Sequence, residues 1–203
     1  MEKKKIENTK IIVATGRRAN IKKLNLENAG VEVTKKGLIK VNERLQTTAD
    51  NIWTMGDVCG NKQFTYISLD DFRIVKSSLE NGDCTLDKRK NVPYTVFITP
   101  PYSRVGLNEK EAKEKNIEYK LFKMPTKAVP KAQLLQKPDG LMKVLVNKEN
   151  DKILGAMLFS SEAYEVINII KLAMDLNADY TILRDMIYTH PTISEALNEL
   201  LND

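Results

Sequence analysis

The stretch from Ala163 to Asn177 restricts the fold of this chain more than any other. On a helix its polar residues Asn168, Lys171 and Asp175 fall on one narrow stripe. Val166, Ile167, Ile169, Ile170, Leu172, Ala173, Met174 and Leu176 cover the rest. A helix apolar around so much of its circumference must be buried on more than one side. In a domain of about a hundred residues, that suggests a partner surface as well as the home core, with an ordinary core as the equal alternative.

The segments around this helix alternate in type. Tyr94–Thr99 is β-rich and is halted by Pro100-Pro101, and Asn108–Lys115 reads as a short charged helix. Glu118–Met124, Leu141–Val146 and Ile153–Phe159 read as strands, the last two as a hairpin around residues 147–152. Mixed runs of this kind specify an α+β domain over residues 91–203, with an antiparallel sheet and helices. Residues 1–90 read differently. Lys10–Ala14 and Asn51–Met55 are strand-like runs ending in Thr15-Gly16 and Gly56-Asp57. Val31 and Val33 face Leu38–Val41 across a turn at Lys36-Gly37. A helix is expected from Ser68, where Ser68 and Asp71 have capping spacing. Leu69, Phe72, Val75 and Leu79 recur at helical intervals, and Gly82 stops the run. The short charged segment Asn81–Asn91 reads as a linker.

Of the 203 residues 42% are hydrophobic, enough for a packed core, and the net charge is +5. The dense basic runs Lys3-Lys4-Lys5 and Lys88-Arg89-Lys90 are not interleaved with aromatics, which argues for solvated surface and against nucleic acid. No apolar run approaches membrane-spanning length, and Ile11-Ile12-Val13-Ala14 is too short for a signal peptide. Cys59 and Cys84 form no C-x-x-C pair, and a single histidine cannot complete a zinc site. A reduced cytoplasmic protein without a metal site is expected.

That histidine, His190, lies in Tyr188-Thr189-His190-Pro191-Thr192-Ile193-Ser194-Glu195. Imidazole is suited to moving protons near neutral pH, and Glu195 can orient it if the turn at Pro191 brings the two together. Thr192 and Glu195 also have the T-x-x-E spacing of a capping box, which would leave His190 a surface residue at a helix start. Both readings stand, and they are compatible. Gly56-Asp57 delivers a carboxylate at a strand end, where sugar hydroxyls are bound in open α/β sheets, and also where simple turns occur. The nine glycines never form G-x-G-x-x-G or a P-loop, so no phosphate cradle is expected.

Taken in order, four segments resemble the pyridine nucleotide–disulfide oxidoreductases, dimeric flavoproteins that include dihydrolipoamide dehydrogenase, glutathione reductase and mercuric reductase. Residues 14–20 (A-T-G-R-R-A-N) are similar to the family's A-T-G-R-x-P-N, with Ala19 where proline is usual. Residues 51–60 (N-I-W-T-M-G-D-V-C-G) resemble the segment whose aspartate binds the ribityl part of FAD, which maps onto Asp57 after Gly56. Residues 92–106 (V-P-Y-T-V-F-I-T-P-P-Y-S-R-V-G) resemble the opening of the dimerisation domain, and His190-Pro191-Thr192 with Glu195 matches H-P-T-x-x-E. Residues 63–75 (Q-F-T-Y-I-S-L-D-D-F-R-I-V) are most similar to a mercuric-reductase-like bacterial subgroup linked to reactive-chlorine and copper stress.

The resemblance implies a C-terminal dimerisation domain (91–203) preceded by a partial FAD-binding α/β segment and the end of an NAD-binding region (1–90). The family's FAD phosphate loop, redox C-x-x-x-x-C pair and NAD(P) glycine loop are missing from the chain, and Cys59 and Cys84 do not replace the pair. The expectation is therefore a C-terminal fragment of an FAD-dependent NAD(P)H:disulfide (or metal-ion) oxidoreductase that binds no cofactor by itself. It would supply the homodimer interface and a His190–Glu195 acid/base pair acting on the partner subunit's thiols. The alternatives are a non-enzymatic dimerisation or interaction module, or one half of a split reductase that pairs with a separate N-terminal FAD/NAD half.

Overall fold

The computed structural model describes residues 10–202, and the basic run Lys3-Lys4-Lys5 lies outside them. The chain divides into two compact units, residues 1–88 and 89–203.

The first unit is built on one helix, α1 (Thr65–Leu79). Its small core consists of Leu45, Ile74 and Val75, against which Val41, Trp53, Cys59 and Leu86 pack. The Trp53 indole N–H donates to Ser78 Oγ on α1 at 3.2 Å. The turn at Lys36-Gly37 forms as expected, with Val33 bridging Ile39 and the Gly37 N–H bonded to the Thr34 carbonyl. Two expected strands do not form. Residues 10–14 form no strand or bridge among the described residues, and Ile11, Ile12 and Val13 stand 78–91% exposed. Residues 51–55 make a single bridge, Trp53 to Gln46. β-favourable side chains make a strand only when a neighbouring strand takes up their backbone groups, and 51–55 meets only a tight turn, with the Thr47 N–H bonded to the Ile52 carbonyl and the Thr54 N–H to the Leu45 carbonyl.

The helix also differs from expectation. It starts three residues before Ser68 and buries Ile67, Asp71, Ile74 and Val75, leaving Leu69, Phe72 and Leu79 exposed. Asp71 does not cap. It is fully buried and bonded to the loop beneath the helix, and this turns the buried face away from the apolar count.

The second unit is an α+β domain. Its elements are β1 (Tyr94–Val96), β2 (Tyr102–Gly106), α2 (Glu109–Glu114), β3 (Tyr119–Pro125), α3 (Pro130–Leu134), β4 (Leu141–Asn147), β5 (Ile153–Phe159), α4 (Ala163–Asp175), α5 (Thr181–Arg184) and α6 (Ala196–Leu200). The sheet is wholly antiparallel, in the order β1-β2-β5-β4-β3. Alternation sends Met142, Val144 and Val146 of β4 and Ala156 and Leu158 of β5 to one face, where α4 lays down Val166, Ile167, Ile170 and Ala173. Ile193, Leu197, Leu200 and Leu201 join the same core, so the C-terminal segment is drawn onto the sheet. At Gly155, opposite Gly106, a Cβ would come within 2.4 Å of the Leu107 backbone, and only glycine fits there.

Strand β2 was not expected, because Pro100-Pro101 reads as a stop. Its Ser103 is buried and bonded to Thr95 Oγ1 on β1 at 2.8 Å, so a polar position is satisfied inside the sheet. The charged helix expected near residue 108 forms as α2. Asn108 and Glu111 close a reciprocal capping box, and Glu111 also pairs with Arg104. Helix α4 buries one face and leaves Tyr164 and Leu172 exposed, with Leu176 exposed just beyond its end. The exposed Phe97 ring lies 5.6 Å from that of Tyr164. Among the described residues no helix is long and apolar enough to cross a membrane.

The two cores differ greatly in extent, and local stability follows buried apolar contact. Limited proteolysis is therefore expected to cut first before residue 89 and to leave a resistant product that starts near it. Faster cleavage beyond residue 91 would contradict this ordering of stabilities.

Candidate functional site

His190 and Glu195 meet across a tight turn, with His190 Nδ1 2.8 Å from Glu195 Oε2. Glu195 Oε1 accepts the Thr192 N–H at 3.0 Å, and Thr192 Oγ1 accepts the Glu195 N–H at 3.2 Å. The Thr192 hydroxyl donates to the Thr189 carbonyl at 2.9 Å and accepts from Ser194 Oγ at 3.1 Å. The His190–Pro191 peptide is cis. One oxygen of Glu195 thus closes a reciprocal pair of bonds with Thr192 in the turn before α6, whose own N-cap, Glu195, makes no side-chain cap bond, and the other oxygen holds the imidazole.

The core fixes this turn from below. Ile193 is fully buried between Thr192 and Ser194, and Ala196, Leu197 and Leu200 of α6 anchor the residues that follow. The Glu195 side chain is 19% exposed and His190 69% exposed, so a sheltered carboxylate orients an outward imidazole. An ionised carboxylate at Nδ1 requires a proton on that nitrogen. In the neutral ring Nε2 then carries the lone pair.

Burial opposes ionisation of Glu195. The hydrogen bond with His190, the Thr192 N–H and the charge of His190 outweigh burial and hold the carboxyl below the ordinary glutamate value. Neighbouring Tyr188 is pushed the other way, up to about 12, by burial of its phenol.

Gly56 and Asp57 lie in the first unit, apart from this pair in the chain. Gly56 adopts φ 81°, ψ −156°, a conformation essentially confined to glycine. Its N–H donates to Asp71 Oδ2 at 2.8 Å, and the Asn61 amide reaches the same carboxylate at 3.4 Å. Asp57 follows at the head of a 3-10 turn, Asp57–Cys59, with its Oδ2 accepting from Arg17 Nη1 at 3.2 Å. Two segments far apart in sequence, around Arg17 and Asp57, therefore converge, and the Asp57 carboxylate remains half exposed.

Asp71 and Arg17 were missed as parts of this turn. The signal for Asp71 was available: a carboxylate at helical spacing between Ile67 and Ile74 must be satisfied from inside. Cys59 is half buried, Cys84 is exposed, and neither is in a disulfide. Among the described residues no group of three or more His, Cys, Asp and Glu side chains could hold a metal ion.

The Glu195 shift has a definite pH signature. A carboxyl lowered on folding adds stability that is complete above pH 4.5, its ordinary value, and is lost as pH falls through the lowered value. NMR titration of Glu195 should give a midpoint below 4.5, moving upward in His190→Ala, where two of the lowering contributions vanish. An unmoved midpoint in that variant would remove the pairing as the cause.

Two family models match the chain. The pyridine nucleotide-disulphide oxidoreductase dimerisation domain matches residues 92–201, and the pyridine nucleotide-disulphide oxidoreductase domain matches residues 1–78. The chain is 47% identical over 193 residues to the Escherichia coli (strain K12) protein named "Probable pyridine nucleotide-disulfide oxidoreductase RclA", covering 95% of this chain and 44% of that protein. It is 37% identical over 196 residues to Staphylococcus aureus mercuric reductase (95% and 35%), and 34% identical over 189 residues to human mitochondrial dihydrolipoyl dehydrogenase (93% and 37%). The solved HOCl-induced flavoprotein disulfide reductase RclA from Escherichia coli superposes with a TM-score of 0.90 at 48% identity, covering 92% of this chain and 43% of that one. It has also been solved as a Cu(II) complex. The chain thus spans less than half the length of these relatives. It belongs to the pyridine nucleotide-disulphide oxidoreductase family, whose dimerisation domain makes up its second unit.

Proposed function

We propose that this chain is the C-terminal portion of an FAD-dependent NAD(P)H:disulfide or metal-ion oxidoreductase, contributing the dimer interface and the acid/base pair His190–Glu195. The observation that carries this reading is the outward imidazole with Nδ1 held by a sheltered carboxylate. A base fixed in this way presents Nε2 to a thiol brought from outside the unit. Nε2 takes the thiol proton, stabilising a thiolate beside the imidazolium, and Glu195 compensates the charge that develops on the ring. On the return step the imidazolium gives its proton to the leaving thiolate. The reacting thiols belong to the family's cysteine pair on the other subunit, so the site is complete only in a dimer. The exposed apolar residues of α4, with Phe97 and Ile98, supply a surface that a second copy can cover.

The residues of the first unit suit the sugar-alcohol part of FAD and no more. Gly56 leaves the backbone open to close approach, and Asp57 offers a half-exposed carboxylate to ribityl hydroxyls, whereas the sequence lacks a glycine cradle for the phosphates. When bound, a flavin would carry electrons from NAD(P)H to the cysteine pair. The chain by itself is proposed to bind neither cofactor firmly and to need the FAD/NAD half of the enzyme. The exposed Ile11–Val13 run favours such a partner, because it presents an exposed β-prone segment. A reducing cytoplasmic setting suits such thiol chemistry.

Two measurements test this. The purified chain, incubated with excess FAD and stripped of free flavin, should show no flavin absorption band, and a retained band would mean that the Asp57 turn suffices. In an assembly with the FAD/NAD half, His190→Ala should lower disulfide turnover by about two orders of magnitude or more. Turnover near that of the unaltered protein would reject the acid/base role.

A further inference from the structure

The five residues that lead from α5 to His190 have few apolar contacts to hold them. Beyond α5 the backbone runs without regular structure from Asp185 to Thr189. Asp185, Met186, Ile187, Thr189 and His190 are exposed, and Ile187 is 96% exposed. Only Tyr188 packs against the core, and its hydroxyl donates to the Leu183 carbonyl at 2.9 Å. An open segment with so few apolar contacts would ordinarily be mobile, yet a proton-transfer group must be placed to within a fraction of an ångström.

Asn198 supplies the missing restraint. It lies on α6, one turn beyond Glu195, and its amide nitrogen donates to the carbonyls of Arg184 at 2.5 Å and Met186 at 3.0 Å. A primary amide has two N–H donors, and this pair of carbonyls can use both. The same helical segment thus grips the approach at residues 184 and 186 through Asn198, and at residue 190 through Glu195.

We infer that Asn198 is a positioning residue for the His190–Glu195 pair, holding the 184–190 segment over α6 so that the imidazole stays on its carboxylate. This rests on the acid/base reading for its functional meaning and on geometry alone for its structural claim. Asn198 does not touch the reacting atoms. It acts by restricting where His190 can stand.

The sole histidine makes the test direct, since every imidazole signal of the 203-residue chain belongs to His190. Nitrogen-15 NMR at about pH 8.5, two units above the ordinary imidazole value, reads the ratio of the Nδ1–H to the Nε2–H form. In the unaltered chain Nδ1–H should dominate. In Asn198→Leu, which keeps the branched heavy-atom outline and removes both donors, the ratio should fall about fivefold, the equivalent of one net hydrogen bond. Asn198→Asp should show the same direction. If Asn198→Leu does not fold, Asn198→Ser, which needs no extra room, is read in its place.

An unchanged ratio, with melting temperature alone reduced, would overturn the inference, because a merely structural clamp lowers stability without moving the tautomer. The outcome is independent of turnover. A shifted ratio combined with an active His190→Ala enzyme would reject the acid/base reading while leaving the positioning role of Asn198 intact.

Discussion

The two oxygens of Glu195 face in two directions, and much of the second unit is arranged around that division. Oε1 takes the Thr192 N–H in the turn before the last helix, and Oε2 takes the only imidazole in the chain. A carboxylate that served only as a cap would leave His190 free to rotate on an exposed turn. One that served only the histidine would leave the Thr192 N–H of that turn without its partner. Joining the tasks makes the geometry of the dyad a by-product of local helix initiation. It also couples both to the core, because Ile193, Ala196 and Leu197 cannot shift without opening the packed layer beneath α4.

The sequence predicted the elements of the second unit well where period and burial agree. Strands β4 and β5 and helix α4 came within two residues of their bounds, since each inward position is apolar and the hairpin between them is short. β2 was hidden because one of its two inward positions is Ser103, whose hydroxyl finds a partner across the sheet, and because a double proline precedes it. In the first unit the legibility was poorer for a different reason. The side chains of residues 10–14 and 51–55 are strand-like, but strand formation depends on neighbours. In α1 the buried Asp71 broke the rule that apolar residues mark the inner face.

The site shows the same split. The spacing from His190 to Glu195 was readable as a cap and as a dyad, and both geometries occur together. Gly56 and Asp57 were readable as a turn, but the reason the turn is held open was not. It depends on Asp71, Asn61 and Arg17, which are spread over more than fifty residues and meet only after folding. Long-range polar contacts leave no periodic trace, so pattern reading stops where they begin.

The two units carry their recognition groups in different physical states. Asp57 is half exposed and its pairing with Arg17 is a surface ion pair, the kind worth a kilocalorie per mole at most and readily exchanged for another partner. On the proposed reading its carboxylate exchanges that pair for ligand hydroxyls at little energetic cost, with the Gly56 backbone held by Asp71. His190 is also exposed, but its orientation comes from a sheltered carboxylate and a turn tied to a large core. The first arrangement suits a group that must accommodate an incoming molecule. The second suits one whose direction must already be set when a thiol arrives from elsewhere, because the segment before His190 has almost no apolar anchorage and would lose that direction without the polar ties from α6.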